Sequence, residues 1–138
     1  MPALRYLLDT NILSAVIKQP QGNLAEKVAA QRPDTLCTSI IVAGELRYGT
    51  IKKGSKRLTA RVNQVLESIP VLPLEYGVHE HYGKIRVALE KAGQPIGHND
   101  LLIAAHARSQ GLILVSDNVG EFSRIEGLQL ENWLRPTD

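Results

Sequence analysis

Apolar residues in this chain come in two arrangements. Two short runs, residues 4–8 (LRYLL) and 112–115 (LILV), each stop at a polar triplet, Asp-Thr-Asn in one case and Ser-Asp-Asn in the other. Mostly apolar runs of that length, closed off by polar or glycine residues, are the pattern of strands buried on both faces. Shorter strands fit at 35–38, 71–74 and around 128–130. Between them, apolar positions recur at helical spacing over 12–18, 24–31, 40–48, 55–68, 75–92 and 99–109. Gly97 and Gly111 mark the two ends of the last of these. Strands that alternate with helices predict an α/β fold, a parallel sheet with helices on both faces, whose working residues gather at the carboxyl ends of the strands. There is no internal repeat, low-complexity tract or linker, so one domain is expected over residues 1–138.

That pattern makes certain acids conspicuous. Asp9 follows the first strand directly, where it either caps the helix beginning near Ile12 or does chemistry at a strand end. Glu45 falls on the helical stripe of Ile41 and Tyr48, so a carboxylate shares a face with apolar neighbours and needs a partner. Arg47 points elsewhere on the same helix, and the structural alternative is a salt bridge to another element. Asp100 opens a helix that Leu101, Leu102, Ile103, Ala104, Ala105 and Ala107 mark as buried nearly all round. It gains from the helix dipole there, but Asn99 caps as well without a charge. Ser116, Asp117 and Asn118 end the 112–115 strand, which the strand-end rule places near Asp9.

Convergence of Asp9, Glu45, Asp100 and one of the pair 117/118 raises their pKa values and opposes folding unless a cation neutralises them. Oxygen ligands without His or Cys spacing suit Mg²⁺, or Mn²⁺, which bind through a few carboxylates plus a substrate phosphate. The implied chemistry is phosphodiester hydrolysis. Other enzyme classes lack their signatures. His79, His81, His98 and His106 have no metal-ligand spacing, no Ser-His-Asp or Cys-His set stands out, and neither a G-x-G-x-x-G nor a P-loop is present. A phosphoaspartate hydrolase would carry a second Asp where Asn11 stands.

Charge changes the picture in one place. The 138 residues carry a net charge of only +2. Yet Leu46 to Leu66 holds Arg47, Lys52, Lys53, Lys56, Arg57 and Arg61 and no acid, leaving ten bases against fourteen acids elsewhere. Arg47, Lys52, Lys53, Lys56 and Arg57 are therefore the candidate contacts to the phosphates of a polyanionic partner, the alternative being a solvated helix face. Few aromatics argue against base stacking as the main recognition device. The single cysteine, Cys37, excludes an intrachain disulfide and suits a reducing compartment. The N-terminus has neither the apolar length of a signal peptide nor that of a membrane span, so a cytoplasmic protein is expected.

The segments LLDTNILS, TSIIVAGELRYG and GQPIGHNDLLIAAHARSQGLILVSDNVGEFSRIEGLQLENW together resemble the PIN-domain ribonuclease toxins of VapBC toxin-antitoxin modules, over nearly the whole chain and in the expected order. The resemblance implies a PIN-like three-layer sandwich with a parallel sheet of about five strands, and an acidic Mg²⁺-dependent (or Mn²⁺-dependent) site. Carried over by position, the first three acids are Asp9, Glu45 and Asp100. At the fourth place Ser116 stands for the usual Thr, Asn118 aligns with the acid, and Asp117 fills the variable position; either Asp117 or Asn118 reaches the metal. Metal ligation falls to Asp9, Glu45, Asp100 and Asn118, positioning to Asn11 and Ser116, and Glu121 assists through water. The G-x-P-I-G-x-x-D form and the EFxRIxGLxLENW ending are most similar to toxins that cut the anticodon stem-loop of initiator tRNA. The family implies a homodimer inhibited by a VapB antitoxin whose C-terminal segment occupies a groove by the active site, with operator DNA bound only through that antitoxin. The competing reading is a noncatalytic RNA-binding or regulatory module that retains a metal site without turnover.

Overall fold

The computed structural model describes residues 3–135. Five strands form one sheet: β1 (Tyr6–Leu8), β2 (Leu36–Ser39), β3 (Val71–Leu72), β4 (Ile113–Val115) and β5 (Leu130–Glu131). Their spatial order is β3-β2-β1-β4-β5 and every pairing is parallel. The chain therefore builds outward from the central β1 to β3, then returns to the other side of β1 with β4. Right-handed crossovers, the rule for parallel strands, put the helices of the two halves on opposite faces. The first half supplies α1 (Thr10–Lys18), α2 (Asn23–Ala29), α3 (Ile40–Lys53) and α4 (Lys56–Ser68), and the second α5 (Val78–Lys91), α6 (His98–Ser109) and the short α7 (Val119–Phe122). No helix among the described residues is long and apolar enough to cross a membrane.

Strand burial explains the composition of the runs. Leu7, Leu8, Cys37, Leu114 and Val115 have no exposure at all, as expected where helices cover both sheet faces. The Cys37 Sγ donates to the Tyr6 carbonyl at 3.4 Å, and burial pushes its thiol pKa up to about 12. On α6, Leu101, Ile103, Ala104, Ala105, His106 and Ala107 are buried and Leu102 half-buried, so the helix is covered nearly all round as expected. His106 belongs to that core, its Nδ1 lying 2.8 Å from the Ser39 hydroxyl, and burial lowers its pKa. Ser39 also caps α3 by accepting from the Ile41 amide at 3.1 Å, so α6 is tied to the start of the helix that carries Glu45.

Most element boundaries fall within a few residues of the sequence reading, and two helix ends that differ have local reasons. The helix expected over 40–48 runs to Lys53, because Gly54 with φ 63° supplies the left-handed stop that Gly49 does not. The helix after β3 starts at Val78, beyond Pro73 and a turn at 76–77. A 3-10 turn at Pro33–Thr35 and α7 had no periodic signal, being one turn each. At the end of α6, Gly111 adopts φ 67° while the Leu112 amide reaches back to the Ala107 carbonyl at 2.9 Å, which turns the chain directly into β4. Leu114→Ala is expected to cost about 2–5 kcal/mol, read as a lower urea midpoint with an unchanged slope.

Candidate active site

The order β3-β2-β1-β4-β5 reverses direction between β1 and β4, and the crevice outside the carboxyl ends of those two strands is where such sheets bind ligands. Asp9 lies there by register. Leu8 pairs with Val115, and the Asp9 amide donates to the Val115 carbonyl at 2.9 Å. The capping reading of Asp9 holds, and its second oxygen turns to the loop after β4. Its Oδ1 caps α1 by accepting from the Thr10 amide at 2.8 Å, and its Oδ2 accepts from the Ser116 hydroxyl at 2.7 Å. Asp9 is only 3 % exposed; burial raises its pKa, with Glu45 adding to the rise, while those two hydrogen bonds pull it down.

Three further acids face the same crevice. Glu45 reaches it from the second turn of α3, where its Oε1 accepts from the Thr10 hydroxyl and its Oε2 from Asn99 Nδ2 at 3.4 Å. Among the described residues no base forms a salt bridge with it, so its partners are neutral donors. Its setting differs from the expected apolar stripe: Tyr48 is 65 % exposed, because α3 buries Val42, Ala43, Leu46 and Thr50 instead. Asp100 stands at the N-terminal end of α6. Neither it nor Asn99 caps that helix, whose cap position is Gly97 with no side-chain bond. The Asp100 pKa is pushed up to about 7, first by burial, then by the charge of Asp9, and by the neighbouring carboxyl groups of Glu121 and Glu45. Glu121, from α7, has a buried Oε2 without a hydrogen-bond partner.

The polar triplet after β4 splits between two directions. Asn118 Nδ2 points at Asp100 Oδ2, 3.5 Å away, and the Asn118 amide donates to the Ser116 hydroxyl at 3.0 Å. The Asp117 carboxylate turns away from the crevice, toward Asn132 Nδ2 at 3.0 Å and Arg135 Nε at 3.4 Å. Asn11 braces the loop from α1, accepting from the Asp117 amide at 3.1 Å and approaching Ser116 Oγ at 3.5 Å. Of the two residues left open at the fourth position, Asn118 is the one brought to the acids. Lys52, Lys53, Lys56 and Arg57 are exposed at the α3–α4 corner and Arg47 is half-buried. Lys53 shares with Thr10 and Glu45 a cavity of about 180 Å³ between α1, α3 and α4, which joins the basic corner to the acids.

Thr10, Asn99 and Asn132 were not singled out by the sequence. Thr10 sits within the quoted DTN motif, but it and Asn99 read equally well as helix-end residues, and which acid they serve depends on α3 packing beside them.

The donor set is oxygen-only and over-rich in acid. Among the described residues no three Asp, Glu, His or Cys side chains already close on one point. The chemistry of the donors, all of them oxygen, fits a hard ion such as Mg²⁺, which keeps several waters and takes one or two carboxylates, and the unpartnered Glu121 Oε2 is the atom such a charge would satisfy. Without a cation, Asp100 carries a folded-state pKa above its unfolded one, so the folded state binds the extra proton. Its contribution to stability is present at acid pH and lost as pH rises from about 4 to 7. Asp100→Asn is therefore expected to stabilise the metal-free protein at pH 8, by on the order of 1 kcal/mol after allowance for solvent screening at a half-buried site. The gain should vanish near pH 4, and melting temperatures from differential scans at the two pH values read it.

Comparison with known proteins places the fold in a family. The model of the family described as PIN domain matches residues 6–128. Ribonuclease VapC2 of Haemophilus influenzae is 41 % identical over 132 residues, covering 95 % of this chain and 99 % of its own. The tRNA(fMet)-specific endonuclease VapC of Shigella flexneri is 37 % identical over 131 residues, covering 94 % and 98 %. The crystal structure of VapBC2 from Rickettsia felis bound to a DNA fragment from the promoter superposes with a TM-score of 0.87 at 34 % identity, covering 94 % of this chain and 99 % of that one. With a family model spanning most of the sheet and relatives matched nearly end to end, the chain belongs to the PIN-domain family and, within it, to the VapC branch.

Proposed function

We propose that this chain is a metal-dependent endoribonuclease toxin that hydrolyses phosphodiester bonds in tRNA and is held inactive by a VapB-type antitoxin. The observation that carries the reading is the convergence of Asp9, Glu45, Asp100 and Glu121 on one crevice at the β1–β4 switch point. Asp9, Glu45, Asp100 and the side-chain oxygen of Asn118 are the groups to hold Mg²⁺ (or Mn²⁺). Such an ion supplies charge neutralisation at the scissile phosphate and lowers the pKa of attacking water.

The chain's own residues do the rest. Ser116 and the Thr10 amide fix both Asp9 oxygens, which orients the most buried acid. Thr10 and Asn99 aim Glu45 without neutralising it. Glu121, placed against Asp100, holds a water at the edge of the group. The exposed bases Lys52, Lys53, Lys56 and Arg57, with Arg47, take RNA phosphates. The cavity beside Glu45, walled by Leu46, Leu58 and Val62 with Lys53 at its edge, is the groove for the antitoxin's C-terminal segment. Support for that partner comes from the solved VapBC complexes of Rickettsia felis and Salmonella typhimurium, both bound to DNA. DNA contact by this chain would pass through the antitoxin, and the toxin itself would act in the cytoplasm as a homodimer. The Shigella flexneri relative is named for tRNA(fMet), which makes the initiator tRNA anticodon stem-loop the first substrate to test.

Two outcomes are expected. Purified protein incubated with total tRNA should cut it with Mg²⁺ and not with chelator, and Asp9→Ala or Asp100→Ala should lower the rate by at least about 100-fold. End-mapping reads the target, and tight binding without cleavage would favour the noncatalytic module. Reversing Lys52, Lys53, Lys56 and Arg57 to Glu together should weaken RNA binding while the far-ultraviolet circular dichroism is retained. The slope of log affinity against log salt should fall by about 3. An unchanged slope would remove this corner from the RNA surface.

A further inference from the structure

Asp117 is an acid next to an acidic site, yet its carboxylate is engaged elsewhere. Its Oδ1 accepts from Asn132 Nδ2 at 3.0 Å and faces Arg135 Nε at 3.4 Å. Asn132 is itself pinned, because its Oδ1 accepts from the amides of Leu134 and Arg135 at 2.9 and 3.0 Å. Those three bonds fix the Asn132 amide in one orientation, with its oxygen toward the turn and its nitrogen toward Asp117. The turn is anchored in the core through the neighbouring Trp133, 5 % exposed, which meets Tyr6 of β1 edge-on at 4.9 Å and donates from Nε1 to Glu131 Oε1 at 2.9 Å. On the other side of the loop, the Asp117 amide is held by Asn11. Asp117 is thus gripped at its backbone by α1, which borders the acidic crevice, and at its side chain by the C-terminal turn, which supplies none of the crevice acids.

We infer that Asp117 and Asn132 form a strut: the C-terminal turn 132–135 fixes the 116–118 loop, so that Ser116 meets Asp9 and Asn118 meets Asp100. Both are positioning residues for the reaction proposed above and neither touches the cation. One peptide on either side of Asp117 carries the two groups that contact the acids. A rotation of the loop would move both, and from outside the crevice the Asn132 bond opposes it beyond the last ladder bond, in which the Ser116 amide donates to the Glu131 carbonyl at 3.0 Å. The inference rests on the metal-nuclease reading for its consequence but not for the contact itself, so its test includes readouts that need no RNA.

A side-chain exchange tests it. Asn132→Asp alone sets two carboxylates against each other across the 3.0 Å contact. It should lower turnover about tenfold, the scale seen when groups that orient metal ligands are lost, with little change in KM. Asp117→Asn alone keeps an acceptor for Asn132 and should stay within about threefold of the parent, as a substitution that leaves the contact standing. The exchanged pair, Asp117→Asn with Asn132→Asp, restores the bond with its direction reversed, since the carboxylate now at position 132 still accepts from the two amides of the turn. Turnover should return to within about threefold, a non-additivity that independent sites do not show. Two further measurements use the protein alone: Mn²⁺ affinity by titration, and hydrogen exchange at the amides of residues 117–119. Asp117→Asn should leave Mn²⁺ affinity unchanged, and Asn132→Asp should speed exchange at those amides while the exchanged pair restores it. A tenfold loss of Mn²⁺ affinity in Asp117→Asn would make Asp117 a ligand and overturn the strut, as would failure of the exchanged pair to recover protection. A parent protein that cuts no RNA but shows the expected exchange pattern would leave the strut standing and sink the nuclease reading instead.

Discussion

The acidic end of this molecule depends on the pairing of β1 with β4. Those strands are separated by more than a hundred residues of chain, and nothing local brings Asp9 to Ser116. The parallel ladder does, since Leu8 opposite Val115 places the next residue of each strand side by side at the point where the sheet's order reverses. From that one register the remainder follows. Ser116 orients Asp9, the adjacent amide of Asn118 settles on Ser116, and α7 begins where Glu121 can face Asp100. A slip of one residue would turn every side chain of β4 to the opposite face.

Against that scaffold the acids are a standing cost. Burial and mutual repulsion raise the pKa values of Asp9 and Asp100, and neutral donors, Ser116, Thr10 and Asn99, do most of the holding where salt bridges would have discharged the site. Neutral partners keep carboxylates available for a cation, whereas a lysine or arginine in the same place would satisfy them permanently. The destabilisation is offset by α6 and the sheet, whose burial is complete along much of β4 and nearly so along the helix.

Much of this was legible in the sequence, and the boundary is instructive. Asp9, Glu45 and Asp100 could be found because each interrupts an apolar pattern, and a charge at a position meant for the core needs an explanation. The strands were visible as short apolar runs, and their parallel pairing as an alternation with helices. What escaped were residues whose meaning lies in a partner far along the chain. Thr10 and Asn99 look like ordinary helix-end residues until α3 is packed beside them. Asp117, next to Asn118 and the stronger acid on paper, is diverted by Asn132, fifteen positions on. The face of Glu45 differs from its pattern for another reason: α3 is apolar on two sides, with Ile40, Tyr48 and Ile51 left exposed, so periodicity alone did not say which side was inward.

Cys37 has a use that its burial creates. Its sulfur lies in a fully covered strand, bonded to the carbonyl of the strand beside it, with a thiol too weakly acidic to ionise at neutral pH. Alkylating reagents attack the thiolate, so they can reach this atom only when β1 and β2 part. The rate at which the chain takes up such a reagent is therefore a clock for opening of the sheet, built into the centre of the fold and needing no added label.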